Sequence, residues 1–189
     1  MKRDSGQTKR LIDATALRLF VEKGVTGTTI KDIASAAGIA EGTLYCHYAS
    51  KQDLAWELFS KNYMELAVNL DRCQKEHPSL KGKLEAMIRL FCTFFDEDPI
   101  LFSYLLLDHH GHIRRMTPDM PSTAKVLKDA ITQGMAKGEI PQADCDVKTA
   151  MVLGLILQVA VFKIYGRLTQ TLTSLAQTLV DSSWLVLRG

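Results

Sequence analysis

Proline, paired cysteines and alternating apolar residues are scarce or absent in this chain. It holds five prolines among 189 residues, and no stretch has the period-two pattern of a half-buried strand. The four cysteines, Cys46, Cys73, Cys92 and Cys145, form no Cys-x-x-Cys pair. This scatter favours reduced thiols over a disulfide framework. A β-rich fold and a disulfide-stabilised scaffold are therefore both excluded.

Long apolar segments are also missing. The first ten residues are polar, so no secretory signal is visible. The most apolar stretch, residues 150–162, contains Gln158 and is followed by Lys163. It falls short of the roughly 20 apolar residues that a membrane span needs. We expect a cytoplasmic, soluble protein that does not enter a membrane.

Catalytic patterns are lacking too. No Ser-His-Asp set, phosphate-binding glycine loop or zinc helix motif occurs at a recognisable spacing. His109, His110 and His112 suggest a metal site, but adjacent histidines diverge on a helix and have no acidic or cysteine partner at ligand spacing. The sequence therefore predicts no enzyme, no metal site and no cofactor.

The charge is nearly balanced, with a formal net charge of +2. Its one local excess lies in the first ten residues, where Lys2, Arg3, Lys9 and Arg10 stand against Asp4. Such a basic arm is either a solvated terminus or a tail that binds phosphates. Hydrophobic residues make up 47% and charged residues 23% of the chain, which is typical of a globular protein.

Apolar residues recur at helical spacing almost throughout, which predicts an all-α fold of about nine helices. We expect a first helix that Gly24 ends, and then helices over residues 30–37, 41–48, 51–74, 80–95, 99–108, 122–137, 146–165 and 169–187. Thr29 with Asp32, and Ser50 with Asp53, have the spacing of capping boxes at the starts of the second and fourth helices.

The second and third predicted helices are short and are separated by Gly38, which can adopt the left-handed conformation of a tight turn. Ile33, Ala37 and Leu44 would face a small core shared with the first helix, and Ala34 is small where two helices cross. This pattern indicates a helix-turn-helix, whose second helix can enter the major groove of DNA.

Residues 29–54, TIKDIASAAGIAEGTLYCHYASKQDL, resemble the amino-terminal signature T-x-x-D-I-A-x-x-A-G-V-S-x-G-T-L-Y-x-H-F-x-S-K-x-x-L of the tetracycline-repressor (TetR) family. Ala40 replaces the capping Ser, at a local cost of about 1 kcal/mol, and Tyr48 replaces Phe, adding a hydroxyl that needs a partner. The resemblance implies a helix-turn-helix DNA-binding domain at residues 1–50 and a helical effector-binding and dimerisation domain at residues 51–189.

The predicted DNA-binding residues are Thr29, Lys31, Glu41, Gly42, Thr43, Tyr45, His47 and Lys51. Glycine lets the DNA backbone come close, and Thr43 can bond a phosphate or touch a thymine methyl. The resemblance implies that Tyr45 and His47 contact DNA; otherwise Tyr45 is a half-buried ring and His47 an idle surface residue. Cys46 is predicted to be packed, and Tyr48 to lie in the core between the third and fourth helices.

Lys51 stands in the first turn of its helix, where a cation opposes the helix dipole. A phosphate at that position would satisfy both the ammonium and the backbone N–H groups, and Thr29 offers a similar site. In the alternative, Thr29 and Ser50 only cap helices. The third helix has no Arg, Asn or Gln for bidentate base contacts. We therefore expect phosphate-based, strongly salt-dependent binding, with base readout by Glu41, Thr43, His47 and Lys31.

The last two helices carry broad apolar surfaces, and Gly154 permits close approach of another helix. They either complete a monomer core or, as the resemblance implies, pair with a second copy, so that the homodimer reads a palindromic operator in double-stranded DNA.

The middle of the chain is rich in aromatic residues and methionine. These residues are core fillers or, as the resemblance implies, walls of a pocket for a small apolar or aromatic effector. The candidates are Phe91, Phe95, Phe102, Tyr104, Met116 and Met135. The resulting hypothesis is a ligand-released repressor; the alternatives are a helical protein-interaction module and an activator without a small-molecule ligand.

Overall fold

The computed structural model describes residues 5–107 and 112–189, which form nine helices and no strand. The helices are α1 (Ser5–Gly27), α2 (Ile30–Ala37), α3 (Glu41–Tyr45), α4 (Lys51–Lys75), α5 (Leu80–Glu97), α6 (Pro99–Leu107), α7 (Thr123–Ala136), α8 (Cys145–Ile164) and α9 (Leu172–Arg188). The predicted all-α fold is confirmed.

Three predicted helix bounds differ from the structure by three residues: the ends of the first and third helices and the start of the last, which is Leu172 instead of residue 169. Gly24 has φ 73° and ψ 160°, which kinks α1, but the helix resumes and ends at Gly27. The third helix ends at Tyr45 instead of Tyr48. The reason is local: the Leu44 carbonyl accepts hydrogen bonds from the N–H groups of both His47 and Tyr48, at 2.9 and 3.0 Å, so the chain tightens into a turn.

The predicted caps are present. The Thr29 hydroxyl accepts from the Asp32 N–H at 3.0 Å, and the Asp32 carboxylate accepts from the Thr29 N–H at 2.9 Å, which completes a capping box on α2. At α4, the Ser50 hydroxyl accepts from the Asp53 N–H at 3.1 Å and lies 2.7 Å from the Asp53 carboxylate. Both helices therefore begin at the predicted residues.

The chain forms two compact units. The first contains residues 1–62 and 100–116, and the second contains residues 63–99 and 117–189. Helix α4 contributes to both, and α6 belongs almost entirely to the first. The functional boundary after residue 50 stays a prediction, because compactness does not show which residues bind DNA.

The first unit is held together by aromatic residues from distant parts of the sequence. The Tyr104 hydroxyl donates to the Ala55 carbonyl at 2.7 Å, and the Tyr104 ring stacks on Phe20 with 5.8 Å between centroids. His112 stacks on Phe59 at 4.9 Å. Helices α1, α4 and α6 are therefore joined by side chains that lie up to 84 residues apart (104 − 20).

In the second unit, α9 packs on α5 and α8, and α8 also packs on α7. Asp96 near the end of α5 caps the start of α9: its carboxylate accepts from the N–H groups of Leu172 at 3.0 Å and Thr173 at 2.8 Å, and from the Thr173 hydroxyl at 2.8 Å. Burial alone would raise the pKa of the Asp96 carboxyl, but these hydrogen bonds outweigh it and hold the pKa below its usual range.

We expect Asp96→Ala to destabilise the fold by about 1 kcal/mol near neutral pH, the usual effect of losing an N-cap. Because the pKa of Asp96 is lowered on folding, its contribution is present above the unfolded value of about 4 and is lost as the pH falls through the folded value. Urea unfolding of the wild type and of Asp96→Ala should therefore show a difference in the free energy of unfolding that disappears in acid. Glu97→Ala, a change at the exposed neighbour, is the control and should leave stability unchanged; a gap that persists in acid would contradict the assignment.

Candidate nucleic-acid interface

The turn between α2 and α3 is compact. Gly38 has φ 64° and ψ 39°, a left-handed conformation, and its N–H and that of Ile39 bond to carbonyls in the last turn of α2. Ile33 and Leu44 are fully buried and hold the two helices together. The predicted helix-turn-helix geometry is thus built by a glycine turn and a small apolar core.

The outer side of α3 carries most of the predicted DNA-binding residues. Glu41, Gly42 and Tyr45 are exposed, and Thr43 and His47 are partly exposed. Tyr45 leaves 53% of its surface accessible, which is unusual for a large ring. The structure thus brings these five residues together on one short helix and the turn after it, where a partner can reach them.

Gly42 has no structural need to be glycine. A Cβ built at this position meets no atom within 4 Å, and φ is not positive there. Glycine in a helix is less favourable than alanine by about 0.5–1 kcal/mol. A close partner that approaches the backbone at this point would account for the residue.

Cys46 is exposed, so the prediction that it is packed is wrong. The helix stops at Tyr45, and Cys46 becomes the residue that ends it, with its thiol 3.2 Å from the Gly42 carbonyl. Ala40, at the other end of α3, has the extended backbone of an N-cap but makes no side-chain capping bond. The expected loss of a cap at this position is confirmed.

Tyr48 is 3% exposed, as predicted for a core residue. Its hydroxyl donates to the Asp13 carboxylate and accepts from the Lys9 ammonium, which also lies 2.8 Å from a Glu57 carboxylate oxygen. Burial raises the pKa of the Tyr48 phenol, and the Asp13 carboxylate raises it further. This network connects α1 with α4 and engages Lys9, a member of the basic arm.

The start of α2 combines the Asp32 carboxylate with two nearby lysines, and the Thr29 hydroxyl donates its hydrogen to that carboxylate at 2.7 Å. The Thr29 side chain is bonded to Asp32, and this bond is the largest cause of a lowered pKa of the Asp32 carboxyl; the charges of Lys23 and Lys31 lower it as well. In an α-helix the first N–H groups have no partner within the helix. The N–H groups of Ile30 and Lys31 belong to this class. The N–H of Asp32 does not, because it donates to the Thr29 hydroxyl.

The Lys51 ammonium has partners within the chain that the sequence does not predict. Its ammonium donates to the Thr28 carbonyl at 2.6 Å and lies 3.4 Å from the Thr26 carbonyl. No sequence spacing signals these bonds, because they join residues 23 and 25 positions apart. The proposed phosphate contact of Lys51 stays a prediction.

The predicted effector-binding residues fall in both compact units. Phe91, Phe95 and Met135 lie in the second unit, and Phe102, Tyr104 and Met116 in the first. All are buried except Met116, which is partly exposed. The Phe91 and Phe95 rings lie 6.4 Å apart. Burial suits core packing and a pocket wall equally, so their role stays a prediction.

The histidine cluster lies only partly in the described structure. His109 and His110 are outside the described residues, and the imidazole of His112 lies 3.2 Å from the Tyr104 hydroxyl. Within residues 5–107 and 112–189, no group of three His, Cys, Asp or Glu residues is arranged to hold a metal ion.

Helix α8 presents an apolar face to solvent. Within the described part of the chain, it is the single helix whose length and composition would suit a membrane span, and 22% of its apolar window is buried. Val147, Met151, Phe162 and Tyr165 are exposed, and a Cβ at Gly154 would meet nothing within 4 Å. On α9, Leu185 is exposed as well. Such a surface is typical of a helix that packs against something beyond its own chain.

Comparison with known proteins gives four relations, two of them in sequence and two in structure. The profile of bacterial regulatory proteins of the tetR family matches residues 12–58. The transcriptional regulator AcrR of Shigella flexneri is 41% identical over 68 residues, which are 34% of this chain and 32% of AcrR, so the chain matches about a third of that relative's length.

The other two relations are with solved structures. The fatty acid degradation regulator FadR of Bacillus halodurans has a TM-score of 0.82 at 21% identity, over 98% of this chain and 97% of that one. FadR of Bacillus subtilis, in complex with stearoyl-CoA, has a TM-score of 0.75 at 20% identity, over 96% and 98%. The fold is therefore shared along almost the whole chain.

Proposed function

Because the chain belongs to the TetR family of bacterial transcriptional regulators, we propose that it is a cytoplasmic repressor without enzymatic activity that binds a palindromic operator as a homodimer and leaves it when a fatty acyl effector binds. The observation that carries this proposal is the outer side of α3. There an exposed tyrosine, a glycine with open space around it and a partly exposed Thr43 lie on the second helix of a helix-turn-helix, and a partly exposed His47 lies in the turn after it.

These residues suit the DNA backbone better than base edges. The Tyr45 and Thr43 hydroxyls and the His47 imidazole can bond phosphate oxygens, and Gly42 allows the strand to come close. At α2, the first N–H groups that follow the N-cap Thr29, with Lys31 beside them, form a second phosphate site. Glu41 is the residue on α3 that can accept a hydrogen bond from cytosine.

The homodimer is supported by the exposed apolar face of α8, together with Leu185 on α9. Two copies of this face would bury Met151 and Phe162, and Gly154 would let the helices approach closely. A two-fold axis at this face would relate two DNA-binding heads and match a palindromic site.

The effector class is supported by two likenesses: FadR of Bacillus halodurans regulates fatty acid degradation, and FadR of Bacillus subtilis is in complex with stearoyl-CoA. The aromatic and methionine candidates, Phe91, Phe95, Phe102, Tyr104, Met116 and Met135, suit an acyl chain, because their side chains are apolar and, in methionine, flexible. A fatty acyl compound is a narrower class of ligand than the small apolar or aromatic effector that the sequence suggests.

The test is binding of the purified protein to DNA from upstream of its own gene, followed by fluorescence anisotropy over a range of salt. We expect binding that weakens steeply with salt, because phosphate contacts release counterions. Tyr45→Phe removes one hydroxyl from an exposed ring and should weaken binding by about 10- to 150-fold, which corresponds to one hydrogen bond to a charged group, while leaving thermal unfolding unchanged.

Addition of stearoyl-CoA to the complex tests the effector. Release of the DNA at micromolar concentrations would support an acyl effector, and retention would reject stearoyl-CoA while leaving DNA binding intact. Absence of any DNA binding at low salt would favour a protein-interaction module instead. A reporter gene whose expression falls when the regulator is deleted would favour an activator over a repressor.

A further inference from the structure

The end of α1 lacks a cation of its own. The carbonyls at a helix C-terminus carry partial negative charge and are commonly met by Lys or Arg in the last turn. The last turn of α1 contains no basic residue, and Gly24 kinks the helix just before it ends. A cation from another part of the chain is therefore favourable at the negative end of α1.

Thr28 fixes the turn that follows α1. Its side chain is fully buried, and its hydroxyl lies 2.8 Å from the Gly24 carbonyl and 3.2 Å from the Leu19 carbonyl. The hydroxyl hydrogen is thus directed back onto α1. The next residue, Thr29, is the N-cap of α2. One peptide unit therefore separates the anchored residue from the proposed phosphate site.

Lys51 supplies the missing cation from α4. Its ammonium bonds the Thr28 carbonyl at 2.6 Å and reaches the Thr26 carbonyl at 3.4 Å. At the start of its own helix a cation is unfavourable, whereas at the end of α1 it is favourable. Two of the three ammonium N–H groups point to these carbonyls, so most of the hydrogen-bonding capacity of the side chain is directed into the turn.

We propose that Lys51 is a positioning residue for DNA binding: it holds the turn of residues 26–28 so that the start of α2 faces a phosphate. The phosphate itself is bound by the first N–H groups of α2 and by Lys31, while the Thr29 hydroxyl stays in the capping box with Asp32. The inference rests on the proposed DNA-binding function and replaces the direct phosphate contact that the sequence suggests for Lys51.

The salt dependence of binding distinguishes a lysine that contacts a phosphate from a lysine that only positions the turn. Each phosphate contact by a cation contributes about −0.9 to the slope of log K against log salt. In the proposed homodimer Lys31→Met removes two phosphate contacts, so it should weaken binding and make this slope shallower by about 2. Lys51→Met should weaken binding about tenfold, because the loosened turn misplaces the N–H groups that bond the phosphate, a loss of about one hydrogen bond to a charged group, and should leave the slope unchanged. The probes are the upstream duplex and a mixed-sequence duplex of equal length.

Thr28→Val is the matched variant, because it removes the hydroxyl that anchors the same turn without changing charge or size. It should reproduce the loss of affinity and the unchanged slope of Lys51→Met. A slope that becomes shallower by about 2 in Lys51→Met, as in Lys31→Met, would overturn the proposal. So would an affinity equal to that of the wild type in either turn variant.

Hydrogen exchange of the free protein tests the same assignment without DNA. The amide of Thr28, which donates to the Val25 carbonyl at 3.4 Å, and that of Thr29 should exchange faster in Lys51→Met than in the wild type or Lys31→Met. Unchanged exchange at these amides would overturn the role of Lys51 in the turn. If the wild type bound neither duplex, the proposed function would fail, whereas faster exchange in Lys51→Met would still establish its hold on the turn.

Discussion

Replacing Met151 by glutamate should convert the proposed dimer into a monomer and weaken binding to the proposed operator by about 10²- to 10⁴-fold, the gain that linking two binding heads normally provides. In the single chain Met151 is 51% exposed, so glutamate at this position is solvated and leaves the monomer folded. In the proposed dimer the same carboxylate would be buried against the partner's α8, where an unpaired charge is strongly unfavourable. Sedimentation equilibrium and anisotropy with the upstream duplex measure the two effects.

Val68→Glu is the matched control, because Val68 is 53% exposed on α4 and lies outside the α8 face. It should leave both the oligomeric state and the affinity unchanged. A Met151→Glu protein that remains dimeric would show that α8 does not form the interface. If the wild type instead floated with lipid vesicles, the apolar face would be assigned to a membrane.

Replacing Gly42 by alanine should move stability and DNA affinity in opposite directions. Alanine is the better helix former, and the added Cβ meets no atom within 4 Å, so the free protein should gain about 0.5–1 kcal/mol in free energy of unfolding. Against DNA the methyl group would push α3 away from the backbone and lengthen several phosphate bonds together. Loss of two such bonds, each of about 1.5 kcal/mol or more, weakens binding on the order of 100-fold.

Urea unfolding and anisotropy on the same preparation measure both changes. Gly134→Ala is the reciprocal case: its Cβ would lie 2.4 Å from a methyl carbon of Leu80, so it should lose stability and, where folded, bind DNA as the wild type does. Wild-type affinity in Gly42→Ala would remove Gly42 from the proposed interface.

Local sequence signals predicted the helix-turn-helix well. The capping pairs Thr29–Asp32 and Ser50–Asp53, the left-handed Gly38 and the buried Leu44 all depend on neighbours within a few residues, and each occurs in the structure. Signals that depend on distant partners were missed. Lys51 bonds the Thr28 carbonyl in the turn after α1, and Lys9 bonds Glu57. The partners in each pair are far apart in the sequence, so no repeating pattern of residues indicates these bonds.

Cys46 shows how a small boundary error changes a side chain's environment. Continuing α3 to Tyr48 placed Cys46 on a packed face, whereas the actual end at Tyr45 leaves it exposed. The effector residues could not be assigned for a different reason. A pocket wall and a core filler both require a buried apolar side chain, so sequence alone gives Phe91, Phe102 and their neighbours the same signal.

The composition of the first compact unit bears on how the protein is made. Residues 1–62 leave the ribosome well before residues 100–116, yet both segments belong to one unit. Until Tyr104 has been synthesised, Phe20 lacks its stacking partner and the Ala55 carbonyl lacks the phenol that bonds it. The packing of the first compact unit is therefore completed only once Tyr104 has been translated, later than the helix-turn-helix residues of the same unit.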